Sequence, residues 1–131
     1  MIVNVIRLAL AGAQALCLAA PAASEEGIAS FYSGRLHGGP TASGERFNRN
    51  AMTAAHRRMP LGRRVRVTNL ANGAAVTLRI NDRGPFVRGR IIDVSRGAAG
   101  HLGFVARGLA RVRVERLPLT GTPEPISIGS K

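Results

Sequence analysis

Three stretches of the chain alternate apolar and polar residues with a period of two, which is the pattern of strands buried on one face only. Valines alternate with arginines in Arg64–Val67 and again in Arg111–Val114, and apolar residues alternate with Thr77 and Arg79 in Val76–Ile80. A turn over Asn69–Gly73 lies between the stretch Arg64–Val67 and the stretch Val76–Ile80. We therefore predict a hairpin whose arginines lie on its solvent face.

Two further strands are predicted from short apolar runs, Gly27–Tyr32 and Ile91–Ile92. The neighbours Phe31 and Tyr32 should point to opposite faces of their strand. One ring is therefore expected in the core, and the other is expected either to stack on a sugar or to cover the end of a barrel.

The remaining segments predict one long loop and two short helices. Ser33–Arg46 is rich in Gly, Pro, Ser and Thr and should be a loop. Asn50–His56 has the pattern of a short helical turn that ends before Pro60, and Ser95–Leu102 that of a short helix capped by Asp93 or Ser95. Short strands, glycine-rich turns and two short helices together indicate a small closed barrel, an all-β fold.

Asp82 lies where the strand Val76–Ile80 ends, directly before the strand-breaking sequence Arg83-Gly84-Pro85. A carboxylate beside a rigid turn is well placed to meet a ligand. Taken alone, however, the stretch favours an Asx-type turn in which Asp82 caps its own backbone. Asp93 is expected to be a structural cap rather than a catalytic group.

Length and charge restrict the class of protein. The 131 residues suffice for one small domain, and a formal charge of +12 favours an anionic partner such as nucleic acid, a membrane surface or an acidic wall polymer. Met1–Ala22 combines Arg7, an apolar run and the sequence Ala20-Pro21-Ala22, which together predict a secretory signal peptide.

Export to the periplasm or the exterior makes a nucleic-acid partner the weakest of these alternatives. Lipid attachment at Cys17 is not expected, because Leu16 stands where a small residue is required. No later run is long enough to span a membrane. Pro118–Lys131 is rich in proline and has no apolar period, so it is predicted to be a disordered tail.

Several ordered blocks resemble the rare lipoprotein A family of bacterial cell-wall proteins. The blocks are Thr41–Phe47 (TASGERF), Ala51–His56 (AMTAAH), Pro60–Leu70 (PLGRRVRVTNL), Ile80–Phe86 (INDRGPF) and Gly89–Ser95 (GRIIDVS). The match runs from about Gly27 to Leu117. It implies a six-stranded double-psi β-barrel, which we assign to residues 24–117.

The resemblance also implies an activity, lytic transglycosylation of peptidoglycan. Such enzymes cleave the bond between N-acetylmuramic acid and N-acetylglucosamine without water, leaving a 1,6-anhydro end. The catalytic positions of the family match Asp82, Glu45 and His56, and the resemblance implies no cofactor. We expect a monomer that acts on peptidoglycan strands, alone or with other wall or division proteins.

The chemistry explains why these residue types are needed. One group must protonate the leaving oxygen and one must take the proton of the attacking hydroxyl, and a single carboxyl, assigned here to Asp82, can do both. Glu45 is expected to share or steer the proton, or to stabilise positive charge at C1. His56 is expected to orient the substrate or a carboxylate.

The neighbouring cation of Arg83 would hinder an acid, since positive charge lowers the pKa of a carboxyl group. Arg83 should therefore point away, or Glu45 should lie close enough to offset it. Substrate contacts are expected from a further set of residues: Tyr32, Thr41, Arg83 and Phe86.

The alternative is a non-catalytic wall-binding module of the expansin or barwin kind, which shares this barrel. Phe31 stands where the family usually has tryptophan, and the chain contains no tryptophan. A scarcity of aromatic residues argues against a pure sugar binder. A metal site of His37, His56 and Asp82 lacks the close ligand spacing of such sites, so we predict no metal.

Overall fold

The structure, a computed structural model, describes residues 24–32 and 34–119. The predicted signal peptide, and residues 120–131 of the predicted tail, lie outside this part of the chain. The described elements are β1 (Ser24–Phe31), a 3₁₀ turn (Gly34–Leu36), β2 (Thr53–Ala55), β3 (Arg64–Asn69), β4 (Ala75–Asp82), β5 (Arg90–Val94), α1 (Arg96–Leu102) and β6 (Ala110–Arg116).

The six strands close into a barrel in the order β1-β5-β2-β4-β3-β6. The β1/β5 and β2/β4 pairs are parallel, and the other neighbouring pairs are antiparallel. Closure leaves every strand with two partners, which removes the exposed sheet edges that favour aggregation. The predicted six-stranded all-β barrel is therefore confirmed.

Alternation along the strands builds the barrel core. Val65 and Val67 of β3, Leu78 and Ile80 of β4, and the valines of β6 all point inward and are buried. The small helix α1 adds its buried face to the same cluster, and Phe104 packs against Phe31 with ring centroids 5.9 Å apart. Of the two neighbouring rings, Phe31 and Tyr32, the Phe31 ring thus packs against the core, as predicted for one of them.

The predicted hairpin is confirmed, with β3 and β4 antiparallel and Arg64 opposite Arg79 in the register. Both of these arginines are exposed. Like charges directly across two strands repel each other, so this pair needs a compensating negative group. That group belongs to the site described below.

The helical turn predicted for Asn50–His56 is wrong, because Thr53–Ala55 forms the strand β2. This strand is buried and lies between β5 and β4, and it pairs with both. Alanine favours a helix by only a few tenths of a kcal/mol per residue, whereas a helix here would leave β4 and β5 each with one unpaired edge. Residues 24–32 and 34–119 therefore contain one short α-helix instead of the two predicted.

The helix α1 confirms the other prediction. Its N-cap is Ser95, whose hydroxyl accepts a hydrogen bond from the Ala98 amide at 3.1 Å. Asp93 is not the cap; it lies within β5, accepts a hydrogen bond from the Ser30 hydroxyl and pairs with Arg90. Among the described residues, no helix is long and apolar enough to cross a membrane.

Candidate active site

The Asp82 carboxylate, at the end of β4, accepts hydrogen bonds from three separate segments. The amides of Ala42 and Arg83 both donate to Oδ1 at 2.9 Å. The Tyr32 hydroxyl donates to Oδ2 at 2.6 Å. Asp82 therefore does bind its own turn, as the Asx alternative predicted, but two of its three donors come from elsewhere in the chain.

The loop that follows β1 is held against the end of β4. The Ser43 amide donates to the Asn81 carbonyl at 3.1 Å, next to the Ala42 contact with Asp82. The Thr41 hydroxyl donates to the Glu45 carbonyl at 2.6 Å and closes the loop on itself. These contacts bring Thr41 and Glu45 to the same edge of the barrel as Asp82.

Glu45 forms a two-pronged ion pair with Arg79 of β4. The two guanidinium nitrogens lie 2.5 and 3.2 Å from Oε1 and Oε2. This contact lowers the pKa of Glu45 below its usual range, against a small opposing effect of burial and with help from Asn81 and Ser43. Glu45 is therefore ionised at neutral pH, and its charge compensates that of Arg79.

His56 is 6% exposed and uses both ring nitrogens. Nδ1 accepts from the amides of Arg58 and Met59 at 3.0 and 3.1 Å, so the proton lies on Nε2, which is 2.8 Å from Glu25 Oε1. The His56 amide donates to the Asp82 carbonyl at 3.1 Å. His56 thus organises the turn beside Asp82, and Glu25 is the carboxylate that its ring contacts.

Arg83 points away from the Asp82 carboxylate. Its Nη1 donates to the carbonyls of His56 and Met59 at 3.1 and 2.8 Å. The guanidinium is therefore used to hold the turn that His56 caps. Of the two alternatives given above, an Arg83 that points away or a Glu45 close enough to offset it, the structure therefore shows the first.

Tyr32 contacts Oδ2 of the Asp82 carboxylate, the oxygen that the two backbone amides do not use. Its ring stacks on Phe47 with centroids 4.4 Å apart and planes 18° apart. Burial, the hydrogen bond to Asp82 and the negative charges of Asp82 and Asp93 raise the pKa of Tyr32 well above its usual range. Its phenol therefore stays protonated at any physiological pH.

Phe86 follows the cis Gly84–Pro85 peptide and is 76% exposed. Val87 beside it is also exposed. An exposed aromatic face four residues after Asp82 fits the predicted sugar contact, which stays a prediction.

One edge of the barrel thus holds Asp82 with Tyr32 bonded to it, and the loop that carries Thr41 and Glu45. His56 and Arg83 hold the neighbouring turn at residues 56–59. In residues 24–32 and 34–119, no group of three His, Cys, Asp or Glu side chains is placed to hold a metal ion. His37, from the rejected metal set, accepts from the Arg49 amide instead.

Sequence reasoning missed two functional partners, Arg79 and Glu25. In the sequence, Arg79 has only the pattern of a solvent-facing strand residue. Glu25 lies in a short polar segment before the first predicted strand. Because they are 34 and 31 residues from Glu45 and His56, no local spacing could have paired them.

Comparison with known proteins identifies the family. The sequence profile described as "Lytic transglycolase" matches residues 24–114. The chain is 63% identical over 97 residues to a "Probable endolytic peptidoglycan transglycosylase RlpA" of Nostoc, which covers 72% of this chain and 26% of that protein. It is 50% identical over 104 residues to the "Endolytic peptidoglycan transglycosylase RlpA" of Neisseria meningitidis, covering 79% and 43%. The chain spans less than half the length of these relatives.

Solved structures share the fold at low sequence identity. The apo expansin of Clavibacter michiganensis aligns with a TM-score of 0.60 and 20% identity over 77% of this chain and 54% of that one. The Streptomyces papain inhibitor aligns with a TM-score of 0.59 and 20% identity over 73% and 96%. The barrel likeness and the profile match agree with the blocks found in the sequence, and the chain belongs to the lytic transglycolase family of double-psi β-barrel proteins, with rare lipoprotein A proteins among its relatives.

Proposed function

We propose that this chain is an exported peptidoglycan lytic transglycosylase that cleaves the bond between N-acetylmuramic acid and N-acetylglucosamine, with Asp82 as general acid and base. The observation that carries the proposal is the convergence of three chain segments on the Asp82 carboxylate. Pre-positioned groups of this kind supply much of an enzyme's rate enhancement. The printed names of the relatives support the same substrate and reaction.

In this reaction one proton moves from the attacking hydroxyl to the leaving oxygen. The 6-hydroxyl of the muramyl residue attacks C1 of the same sugar, the bond from C1 to the O4 of N-acetylglucosamine breaks, and no water is consumed. Asp82 carries the proton between the two oxygens and ends the cycle in its starting state. A single carboxyl group is therefore sufficient.

Glu45 stabilises charge in this mechanism rather than donating a proton. Its ion pair with Arg79 occupies both carboxylate oxygens and lowers its pKa, so Glu45 is a poor carrier of the reacting proton. An anion at the edge of the cleft favours the oxocarbenium-like transition state. Of the two roles open to Glu45 from sequence, the geometry supports this one.

His56 acts through the backbone in this proposal. Its ring accepts two amides of the turn at residues 56–59, and that turn binds both Arg83 and the backbone of Asp82. Loss of the imidazole would loosen the support of the carboxylate without removing a substrate contact. His56 is thus a positioning residue.

The substrate contacts follow the exposed surface. Phe86 offers an apolar face for a sugar ring, and Thr41 shapes the loop that borders the cleft. Arg83 contributes through the turn that it ties down.

The test is digestion of intact peptidoglycan sacculi by the purified chain and by Asp82→Asn, with mass spectrometry of soluble fragments. We expect 1,6-anhydro-muramyl ends from the wild type and a loss of about 10²-fold or more from Asp82→Asn, typical for removal of a general acid and base. Asp93→Asn is the matched control, since it makes the same change in a carboxylate that pairs with Arg90 instead. Full retention of activity by Asp82→Asn would refute the assignment.

The second candidate is a wall-binding module without catalysis, favoured by the barrel shared with expansins. Of the five aromatic residues in the chain, Phe86 is the one with an exposed side chain. A single ring does not make the aromatic row that a pure sugar binder presents. Sedimentation of both proteins with sacculi, with no fragments released by either, would favour this candidate.

A further inference from the structure

We propose that Tyr32 is a positioning residue that fixes the Asp82 carboxylate and leaves Oδ2 as the atom that exchanges the reacting proton. This inference rests on the proposed function and revises the expectation that Tyr32 binds substrate. The argument starts from the acceptor positions of the carboxylate.

An ionised carboxylate has about four acceptor positions, two on each oxygen. On Asp82, Oδ1 already accepts the amides of Ala42 and Arg83, each at 2.9 Å. Oδ2 accepts the Tyr32 hydroxyl alone, at 2.6 Å. One position on Oδ2 is therefore open among the described contacts, and a substrate hydroxyl can reach the carboxylate there.

Tyr32 is itself held in place independently of substrate. Its ring lies on Phe47, which is 3% exposed, and its backbone amide donates to the Val94 carbonyl at 3.0 Å. A tyrosine ring has only two side-chain torsions, so these contacts fix the direction of its hydroxyl. The carboxylate is thus oriented from the end of β1 before any ligand arrives.

Tyr32 keeps its own proton during the reaction. Burial and the carboxylates of Asp82 and Asp93 both oppose formation of a phenolate. The proton taken from the 6-hydroxyl therefore goes to Oδ2 of Asp82 and then to the leaving O4, as C1–O6 forms and C1–O4 breaks. Tyr32 donates one hydrogen bond throughout and exchanges nothing.

A spectroscopic test needs no activity. Tyr32 is the single tyrosine of the chain, and there is no tryptophan, so absorbance at about 295 nm reports the Tyr32 phenolate alone. At about pH 11, one unit above the pKa of a free tyrosine, we expect little phenolate in the wild type and clearly more in Asp82→Asn. Asp93→Asn should have a smaller effect, because it removes a charge but no hydrogen bond to Tyr32. Equal titration of wild type and Asp82→Asn, with the fold checked by circular dichroism, would overturn the inference.

The kinetic test compares Tyr32→Phe with Ser30→Ala on soluble glycan strands. Tyr32→Phe keeps the ring on Phe47 and removes the hydroxyl; Ser30→Ala removes a hydroxyl from the same strand that contacts Asp93 and Arg90 instead. We expect kcat to fall about tenfold in Tyr32→Phe, with KM nearly unchanged, because the lost contact orients the carboxylate and not the substrate.

An unchanged kcat in Tyr32→Phe, a loss that falls on KM instead of kcat, or an equal loss in Ser30→Ala would overturn the inference. Failure of the wild type to produce anhydro ends would instead refute the proposed function. In that case the phenolate titration still decides whether Tyr32 orients Asp82.

Discussion

At the scale of single residues, Arg79 fixes the position of the Glu45 carboxylate and lowers its pKa. The two side chains are 45% and 40% exposed, so their ion pair contributes only about 0–1 kcal/mol to stability. Its main effect is electrostatic, because it holds the pKa of Glu45 below the ordinary value of 4.5. Stability from this pair is fully present above the unfolded pKa and is lost as pH falls through the folded one.

Replacement Arg79→Gln should raise the pKa of Glu45 towards its ordinary value and reduce the proposed transglycosylase activity severalfold at neutral pH, since the loop loses one of its contacts with β4. Carbon-13 NMR titration of the Glu45 carboxyl measures the first effect directly. Arg64→Gln is the matched control, because Arg64 lies opposite Arg79 in the register. An unmoved Glu45 titration in Arg79→Gln would contradict the ion pair.

The candidate residues themselves could be predicted from sequence, but their partners could not. Asp82 was recognisable because it ends an alternating strand before a glycine-proline turn, and Glu45 and His56 because they lie in blocks that match a family. The contacts of Glu45 with Arg79 and of His56 with Glu25 depend on how the strands close into a barrel. The role of each residue follows from those contacts.

At the scale of elements, Ser95 links the helix α1 to the start of β2. Its hydroxyl accepts the Ala98 amide and donates to the Ala51 carbonyl at 2.5 Å, while its amide donates to the Thr53 carbonyl. Ser95 is fully buried, so its hydroxyl and amide depend on these partners rather than on water.

Replacement Ser95→Ala should lower the free energy of unfolding by about 0.5–2 kcal/mol, because it removes the N-cap of α1 and one of the two hydrogen bonds to the Ala51 carbonyl. Urea denaturation followed by circular dichroism measures the change. Ser95→Thr keeps the hydroxyl and should cost less. Equal stability of Ser95→Ala and the wild type would rule out this linking role.

β2 is the element that sequence analysis could not identify. Its three residues are too short to show a period, and Ala54 and Ala55 have a weak helical preference. The strand exists because β5 and β4 pair with it from both sides, a long-range effect. The hairpin of β3 and β4, by contrast, was predictable because its register and its turn are both local.

At the scale of the whole molecule, the formal charge of +12 should govern binding to an anionic wall. We expect the fraction of protein that sediments with sacculi to fall clearly between about 50 mM and 500 mM salt, as screening shortens the Debye length from about 14 Å to about 4 Å. The double variant Arg64→Gln with Arg111→Gln, which removes two exposed charges, should bind less at low salt and respond less to added salt. Salt-independent sedimentation would show that apolar or neutral sugar contacts dominate.

Barrel closure places the beginning of β1 directly beside the end of β6, with Ser24 opposite Glu115. Polypeptide that precedes the barrel and polypeptide that follows it must therefore leave from neighbouring points. A longer chain can carry such a unit as an insertion, with no strand threaded through another and no change in pairing. The same geometry makes the barrel suitable for circular permutation, because a short peptide could join the two ends and a new start could be opened in a surface turn such as Asn69–Gly73.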